Sequence, residues 1–523
     1  MHVAHIEKKE WRLAAVFSLL IAFLTFLPYG IGVFGGEKGY VFMGTPIVAP
    51  ADYRSYLAWI DQARHGALLF YNYSAPLSLS TTGVLFHPIF LTLGVVGRLT
   101  GLSSVLLYHL ATSFAAGVLC LISYRFFATF TTSLTQRRCA ILLFICATGV
   151  GAFLYGTPSG FDLPEFSMFI RMNNYLLGSI DAIITLTAFL VVLEGDRPLS
   201  RKDGILIGLL LGFLSLVHPY MVVVSYATIM LYVFYRDRST SKFHWYPLAL
   251  AFIMLLPCVL WQALALAKDP SFAMWFFLDM HTERYRLVEL IVGYGLILPL
   301  SLYGLYITGR ELLRGKQALL FIWMLVMLCG MYQPLFPGVA RRLGEGLLAP
   351  LAFYGSAALA VILQRKPGRA LMLFSLPLLL WGNIMYAVAQ SESYKEGPTR
   401  PSMEEVSPDA LSVMAWLDDH TTERSVIFSA GGFGSVIPAF VNARVMFGHP
   451  SLMPSEKSQV YTTLQLLTAS STDTSAWNLF MKDIDYIVVD DELRSYGFQK
   501  QAGENLEEVF HSGSITVLRV LHS

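Results

Sequence analysis

Long apolar segments alternate with short polar connections along most of the chain. At about 20 residues per membrane crossing, this pattern predicts about eleven spans. We place them near residues 12–34, 103–129, 139–155, 174–193, 204–217, 219–235, 245–266, 287–309, 317–333, 347–364 and 370–389. The first apolar run follows Lys8, Lys9 and Arg12, is longer than a signal-peptide core, and has no small-residue cleavage site after it. It is therefore interpreted as a retained span.

Positively charged residues recur in every second connection between these segments. The basic connections hold Arg125, Arg137 and Arg138; Arg197, Arg201 and Lys202; Arg236, Arg238 and Lys242; Arg310, Arg314 and Lys316; and Arg365, Lys366 and Arg369. Because such residues favour the cytoplasmic side, the N-terminus is predicted to be cytoplasmic and the tail extracytoplasmic. The alternation requires His218-Pro219 to split Gly204–Tyr235 into two short spans, and proline favours this because it interrupts helical hydrogen bonding.

Polar residues dominate after residue 390, and their pattern predicts a folded α/β domain. "SPDALSVMAWLDDH" carries a helix start signal and helical apolar spacing. "RSVIFSA", "ARVMFG", "IDYIVVD" and "ITVLRVL" are short β-branched runs, and their alternation with helices predicts a mostly parallel sheet. "SAGGFGSVIP" is interpreted as a tight strand-to-helix turn, since a lone glycine cluster is weak evidence for a nucleotide site. The predicted domains are 1–390, transmembrane with a large first outer loop at 35–101, and 391–523, extracytoplasmic.

Composition agrees with the membrane assignment and excludes other classes. Hydrophobic residues make up 55% of the 523 residues, charged residues only 14%, and the mean hydropathy is +0.56. Soluble domains average about 25% charged residues. A net charge of +1 without a basic arm gives no indication of nucleic-acid binding. All five cysteines lie in apolar runs, so neither a disulfide framework nor a cysteine metal site is indicated.

The first outer loop contains "ADYRSYLAWIDQARHG", which predicts a short amphipathic helix. The helix is taken to start at Tyr53. An apolar stripe is then formed by Tyr56, Ile60 and Ala63, and it fits a membrane surface or other spans. Asp52 then falls at the N-cap, where its carboxylate would bond the first free amides. Capping alone would explain Asp52, and a catalytic role is the alternative.

Several charged residues are predicted on the outward side, against the charge bias of the topology. Arg341 and Arg342 next to an outer span mouth favour an anionic partner, with snorkelling to lipid headgroups as the alternative. Arg171 at a span start is either an interfacial anchor or a phosphate contact. His218 in its apolar turn is more typical of a core histidine than of a phosphate ligand.

The order of elements resembles the GT-C superfamily of integral-membrane glycosyltransferases, which use polyprenyl-phosphate sugars. "DYRSYLAWIDQARHG" resembles the segment around the catalytic aspartate of that superfamily. "NNYLLGSI", "LVHPY" and "RRLGEGLLAPLAFY" are similar in position to elements of bacterial members, and "IPAFVNARVMFGHPSLMPSEK" resembles their tail segments. Several families place a second acid directly after the aspartate, where this chain has Tyr53.

The resemblance implies transfer of a sugar from a polyprenyl-phosphate donor to a glycan, lipid or protein acceptor at the outer face of a bacterial plasma membrane, with inversion. Asp52 would be the general base, and Asp162 or Glu165 a partner acid unless both lie in a solvated loop. The implied lipid-phosphate contacts are Arg341, Arg342, Arg171 and His218. No cofactor is indicated with certainty, and a divalent metal is left open. A lipid or sugar transporter (flippase) and a non-catalytic membrane assembly protein are the alternative functions.

Overall fold

The structure is a computed structural model of the chain. It describes residues 6–48, 50–74, 83–151, 154, 166–194, 198–238, 245–273, 285–309, 311–333, 339–393, 404–446, 448, 481–495, 498 and 505–522. The chain forms two compact units. The first contains Met1–Leu27, Leu110–Ala263 and Asp279–Ser391, and the second contains Pro28–His109, Leu264–Leu278 and Glu392–Ser523. The predicted division at residue 390 stays a prediction, since the second unit includes the first outer loop as well as the tail.

Helices account for most of the described chain. In chain order they are α1 (Lys8–Gly35), α2 (Pro50–Arg64), α3 (Pro88–Thr100), α4 (Ser104–Ala128), α5 (Leu134–Cys146), α6 (Met168–Asn174), α7 (Leu176–Leu193), α8 (Arg201–Val217), α9 (Pro219–Asp237), α10 (Trp245–Lys268), α11 (Leu287–Tyr294), α12 (Ile297–Thr308), α13 (Gln317–Tyr332), α14 (Leu348–Leu363), α15 (Lys366–Ser393), α16 (Pro408–His420), α17 (Gly431–Val436) and α18 (Asp491–Ser495). Short 3-10 helices occupy Arg342–Gly344 and Ile437–Ala439.

Among the described residues, six helical segments are long and apolar enough to cross a membrane. They are Lys8–Gly35, Ser104–Ala128, Leu176–Leu193, Trp245–Lys268, Arg342–Leu363 and Lys366–Glu392. Helices α11 and α12 would add a seventh span, bent by 91° between them. The protein is therefore an integral membrane protein. Each of the eleven predicted segments contains a helix, but several are short, so the count of eleven stays a prediction.

Aromatic side chains fill the core of the first unit. The ring of Trp323 meets the edge of Phe189, with centroids 4.9 Å apart, and that of Phe126 at 6.3 Å. Gly304 on α12 lets the backbones of α12 and α14 approach closely, because a Cβ there would collide with the Tyr354 carbonyl. The core thus combines large rings with close helix contacts made possible by glycine.

The predicted helix break at His218-Pro219 is confirmed. Helix α8 ends at Val217 and α9 begins at Pro219, with His218 between them at φ −151° and ψ 84°. The two helices pack against each other, so the chain reverses at this residue. A proline at the first helical position needs no hydrogen-bond partner for its nitrogen, which makes it a favourable start for α9.

The tail contributes a five-stranded sheet to the second unit. Its strands are β3 (Val426–Phe428), β4 (Arg444–Val445), β5 (Tyr486–Val489), β6 (Leu506–Ser512) and β7 (Ile515–Val520), whereas the earlier β1 (Val41–Phe42) pairs with β2 (Glu405–Val406). The order is β4-β3-β5-β7-β6. The predicted helix at "SPDALSVMAWLDDH" is present as α16, capped by Ser407.

The expectation of a mostly parallel sheet is wrong. Strand β3 is parallel to β4 and β5, but β7 is antiparallel to β5 and to β6. A tight turn explains the β6–β7 pair: Gly513, at φ +56°, joins the two strands, and a short hairpin connection permits antiparallel pairing only. Strand β6 was not predicted, because its exposed glutamates hide it in the sequence pattern.

Candidate functional site

Asp52 lies in the first turn of α2, within the second unit. The helix begins at Pro50, not at Tyr53, so Asp52 is its third residue and the predicted N-cap position is wrong. The start at Pro50 reflects the preference of proline for the first helical position. A half-buried carboxylate in this turn still faces the partial positive charge of the helix N-terminus.

Helix α2 is buried on all sides, so the predicted amphipathic surface helix is also wrong. Every residue from Tyr53 to Ala63 is buried, including the polar Arg54, Asp61 and Gln62. The helix packs against α3, α17 and the 3-10 helix Ile437–Ala439. The segment reads as amphipathic because polar side chains alternate with apolar ones, but the polar side is covered by the tail.

Two groups of opposite charge lie around the first turns of α2, Arg54 buried and Glu404 half-buried. Arg54 is 5% exposed and donates from Nη1 to the Ser435 hydroxyl at 2.5 Å. The Glu404 carboxylate accepts from the Thr45 amide at 3.1 Å. Burial lowers the pKa of Arg54 to about 10 although the Glu404 charge opposes that change. Burial likewise raises the pKa of Glu404 to about 7, against the Thr45 hydrogen bonds and the Arg54 charge.

The last turn of α2 carries a histidine between two acids. His65 Nδ1 lies 3.3 Å from Asp61 Oδ2, and Nε2 lies 3.5 Å from Asp418 Oδ2 on α16. Hydrogen bonding to Asp418 and Asp61 raises the pKa of His65 to about 10. Asp418 also accepts from the Asn442 amide at 2.9 Å. His65 therefore connects the helix that carries Asp52 to the tail.

A separate cluster of charges is buried in the first unit, with Arg171 at its centre. Arg171 Nη2 donates to Asp181 Oδ2 at 2.6 Å and to Glu345 Oε2 at 2.7 Å. Helix α6 positions Arg171 in its last turn, and Gly178 leaves room for the side chain, since a Cβ there would lie 2.7 Å from Arg171 Cγ. All three charged residues are under 9% exposed.

His218 completes this cluster from the break between α8 and α9. Its Nδ1 lies 2.8 Å from Asp181 Oδ2, and its Nε2 lies 3.5 Å from Glu345 Oε2. The 2.8 Å contact lacks the angle of a hydrogen bond, so it is electrostatic in character. The break thus directs a titratable ring toward two carboxylates inside the membrane-spanning unit.

Arg342 balances the remaining charge of the cluster. Its Nη1 donates to Glu345 Oε1 at 3.0 Å. Gly346, which follows Glu345, adopts φ +105°. This conformation favours glycine, and it turns the chain into α14. Two arginines and two carboxylates cancel when His218 is neutral. A cavity of about 20 Å³ beside Arg171, Asp181 and Glu345 is large enough for one water molecule.

Asp181, His218 and Glu345 also satisfy the distance requirement for a metal site, with ligand atoms within 4.8 Å of one another. However, the oxygens of Asp181 and Glu345 nearest to His218 are those bound by Arg171 Nη2. The guanidinium supplies the positive charge that a cation would bring. The arrangement therefore favours a salt-bridge network over a metal centre.

Arg341 has a different environment from its neighbour Arg342. Its Nε donates to the Tyr285 hydroxyl at 2.8 Å, and its guanidinium lies over the Tyr285 ring, 5.2 Å from the centroid. A guanidinium that both stacks on an aromatic face and is held by a hydroxyl is fixed in its orientation.

The structure brings together three of the predicted site residues: Arg171, His218 and Arg342. It adds two acids that sequence reasoning missed, Asp181 and Glu345. An aspartate inside an apolar span is by itself an indication of a functional or structural site. Asp181 in "LLGSIDAIITL" gives that indication. Glu345 gives a weaker one, because it lies beside arginines at a span end.

Some predicted residues cannot be placed in either cluster. Asp162 and Glu165 lie outside the described residues, as do Arg197, Lys242 and Arg310 of the basic connections and the end of the quoted tail segment. Asp52 belongs to the second unit and the four predicted phosphate contacts to the first.

Comparison with known proteins finds a solved structure with a similar fold. No protein-family model and no curated protein matches the chain. Among solved structures, ArnT from Cupriavidus metallidurans bound to undecaprenyl phosphate is similar with a TM-score of 0.52, at 13% sequence identity over 98% of both chains. The same protein in the apo state has a TM-score of 0.49 and 13% identity over 97% of both chains. The chain therefore has an ArnT-like fold, and the fold that the resemblance implied is confirmed.

Proposed function

We propose that this protein is an integral-membrane glycosyltransferase that uses a polyprenyl-phosphate sugar as its donor. The observation that carries the proposal is the structural similarity to ArnT, which extends over 98% of both chains and is measured against a structure bound to undecaprenyl phosphate. A similarity of this extent includes the spans, the first outer loop and the tail together. The charge pattern of the connections supports action at the outer face of a plasma membrane.

Asp52 is the proposed general base. Its carboxylate would accept the proton of the acceptor hydroxyl while that oxygen attacks the anomeric carbon of the donor sugar. The bond from this carbon to the phosphate oxygen breaks, the phosphate leaves with the bonding electrons, and the anomeric configuration inverts. The burial of α2 supports this role because a rigid helix fixes the carboxylate. Asp162 and Glu165 stay candidates for the partner acid.

Arg341 is the proposed contact to the departing phosphate. The Tyr285 hydroxyl holds its Nε at 2.8 Å, and an oriented guanidinium suits two parallel hydrogen bonds to phosphate oxygens. We assign Arg171, Arg342 and His218 a positioning role, because Asp181 and Glu345 already pair with them. These residues would hold α6, α7 and the segment after Arg341 in a fixed arrangement.

The decisive experiment is a transfer assay with purified protein in liposomes and a panel of labelled polyprenyl-phosphate sugars. Asp52→Asn should still fold and bind donor but lose transfer by about 10²–10⁴. Asp409→Asn is the matched control, since Asp409 also lies in the first turn of a helix that begins with proline. A fully active Asp52→Asn enzyme would remove Asp52 from the mechanism. Absence of transfer from every polyprenyl-phosphate sugar would contradict the proposed donor class.

A further inference from the structure

A groove of about 190 Å³ opens between α1, α4 and α5 in the first unit, and none of the residues assigned to the reaction lines it. Its walls are apolar and include Leu13, Phe17, Cys120, Ile141 and Leu142. Leu13 and Leu142 form its rim and are 46% and 49% exposed. Two of the three helices, α1 and α4, are long and apolar enough to cross the membrane, so an apolar groove with an exposed apolar rim on them opens toward lipid.

One end of the groove carries a positive charge that no described residue pairs. Arg138 lines the groove, is exposed, and makes no hydrogen bond or ion pair with any residue that the structure describes. Its neighbour Arg137 differs: it pairs with Glu10 at 2.7 Å and donates to the Thr131 carbonyl at 2.9 Å. The two adjacent arginines thus have different environments. Arg137 fastens α5 to α1, whereas Arg138 is exposed and pairs with no described residue.

Aromatic residues place this end of the groove at the membrane interface. Trp11 is 37% exposed and meets the edge of the Tyr124 ring at 6.3 Å. Tyr124, which also lines the groove, donates to Glu10 at 2.9 Å. Tryptophan, tyrosine and basic residues concentrate at the level of lipid headgroups. Arg138 therefore lies at headgroup level, while the apolar walls extend from it toward the bilayer interior.

We propose that this groove binds one anionic glycerophospholipid, with an acyl chain along the apolar walls and the phosphate on Arg138. Charge complementarity selects the occupant, because an uncompensated arginine favours a headgroup with net negative charge over a zwitterionic one. The basic connections predict that this end is cytoplasmic. It is thus the opposite side from the proposed transfer reaction, and the site is independent of the donor and of the proposed function.

Lipid titration of the purified full-length protein, followed by native mass spectrometry, tests the proposal. Phosphatidylglycerol, phosphatidylcholine and a polyprenyl phosphate serve as probes. The wild type should prefer phosphatidylglycerol over phosphatidylcholine by about five-fold, the effect of one interfacial charge. Arg138→Gln should abolish the preference and Arg138→Lys should keep most of it. Arg201→Gln is the matched control, since it removes an exposed charge from the same predicted side outside the groove.

A second variant tests the groove itself. Leu142→Glu places an acid on the exposed rim and should lower binding of both phospholipids, phosphatidylglycerol more strongly. Melting temperatures in detergent would show that each variant is folded. Equal losses in Arg138→Gln and Arg201→Gln would overturn the site in favour of general surface charge. A wild type without headgroup preference, or one that retains only the polyprenyl phosphate, would also overturn the proposal.

Discussion

The two units bury charge in different ways. In the first, Arg171 contacts two carboxylates at 2.6 and 2.7 Å, so each buried charge has an opposite charge within hydrogen-bonding distance. In the second, Arg54 and Glu404 are held by a hydroxyl and an amide, and the pKa of each moves toward the neutral form. The first arrangement pairs its charges directly, whereas the second contains a carboxyl group whose pKa burial raises to about 7. Rigidity is thus expected in the spans and pH sensitivity around α2.

The largest effect should follow from breaking the cluster of the first unit. Glu345→Gln leaves Arg171 and Arg342 without one of their carboxylates, and removing one partner of a buried ion pair costs about 3–5 kcal/mol. We expect the free energy of unfolding in detergent to fall by that amount. Glu311→Gln, at an exposed acid of the same unit, should change it little.

A double variant distinguishes pairing from packing in this cluster. Arg171→Gln combined with Glu345→Gln should be less destabilised than the sum of the two single variants, because the contact between Arg171 and Glu345 is then lost only once. Additive losses would show that the two side chains contribute separately, and the salt-bridge interpretation of the cluster would fail.

The raised pKa of Glu404 in the second unit should make the free energy of unfolding depend on pH. The folded pKa of Glu404, about 7, is above its unfolded value of 4.5. The protonated group therefore contributes stability that is fully present below about pH 4.5 and is lost as the pH rises through about 7, in total about 3 kcal/mol. In Glu404→Gln this slope should disappear from the unfolding free energy, whereas Glu405→Gln should keep it. Thermal unfolding in detergent across this pH range would measure the slope.

Arg341 and Arg342 are neighbours with different partners, a tyrosine and a glutamate, and only Arg341 is proposed to bind the donor phosphate. Arg341→Ala should lower donor use about 10-fold or more, since hydrogen bonds to charged groups contribute roughly 1.5–3 kcal/mol. Lysine should restore it only in part, because the planar fork is lost. Initial rates at varied donor concentration measure the effect, with Arg314→Ala as a control on an exposed arginine. Normal donor use by Arg341→Ala would remove Arg341 from the proposed phosphate site.

Local signals in the sequence predicted the parts of the fold that depend on neighbouring residues. Proline after His218 predicted the helix break, and serine with proline predicted the start of α16. The start of α2 was missed although Pro50 gives the same signal, because the apolar stripe was counted from Tyr53. The strand β6 was missed because glutamates face solvent along it.

The contacts that build the sites depend on residues far apart in the chain. Arg171 and Glu345 are 174 positions apart, and Arg54 and Ser435 are 381 apart. No spacing rule connects such pairs, so a single sequence gives the charged residues but not their partners. That is why arginines interpreted as phosphate ligands proved to be paired with acids. It is also why the tail was not predicted to cover the polar side of α2.

The smallest effect concerns the connection between α2 and α16. The folded pKa of His65, about 10, is above its usual 6.5. The protonated ring therefore adds stability that is fully present below about pH 6.5 and is lost as the pH rises through about 10. Because the His65 side chain is 40% exposed, solvent screening reduces the contribution to about 1 kcal/mol.

His65→Gln should lower the unfolding free energy by that amount at neutral pH and have little effect above the folded pKa of the ring. His420→Gln is the control, since His420 stacks on Trp416 at 4.1 Å on the same helix α16. Asp418→Asn should reproduce most of the His65→Gln loss, and the double variant should add little, because both remove one interaction. An equal loss of unfolding free energy below and above the folded pKa would show that the His65 ring acts by packing. Its charge would then not join α2 to the tail.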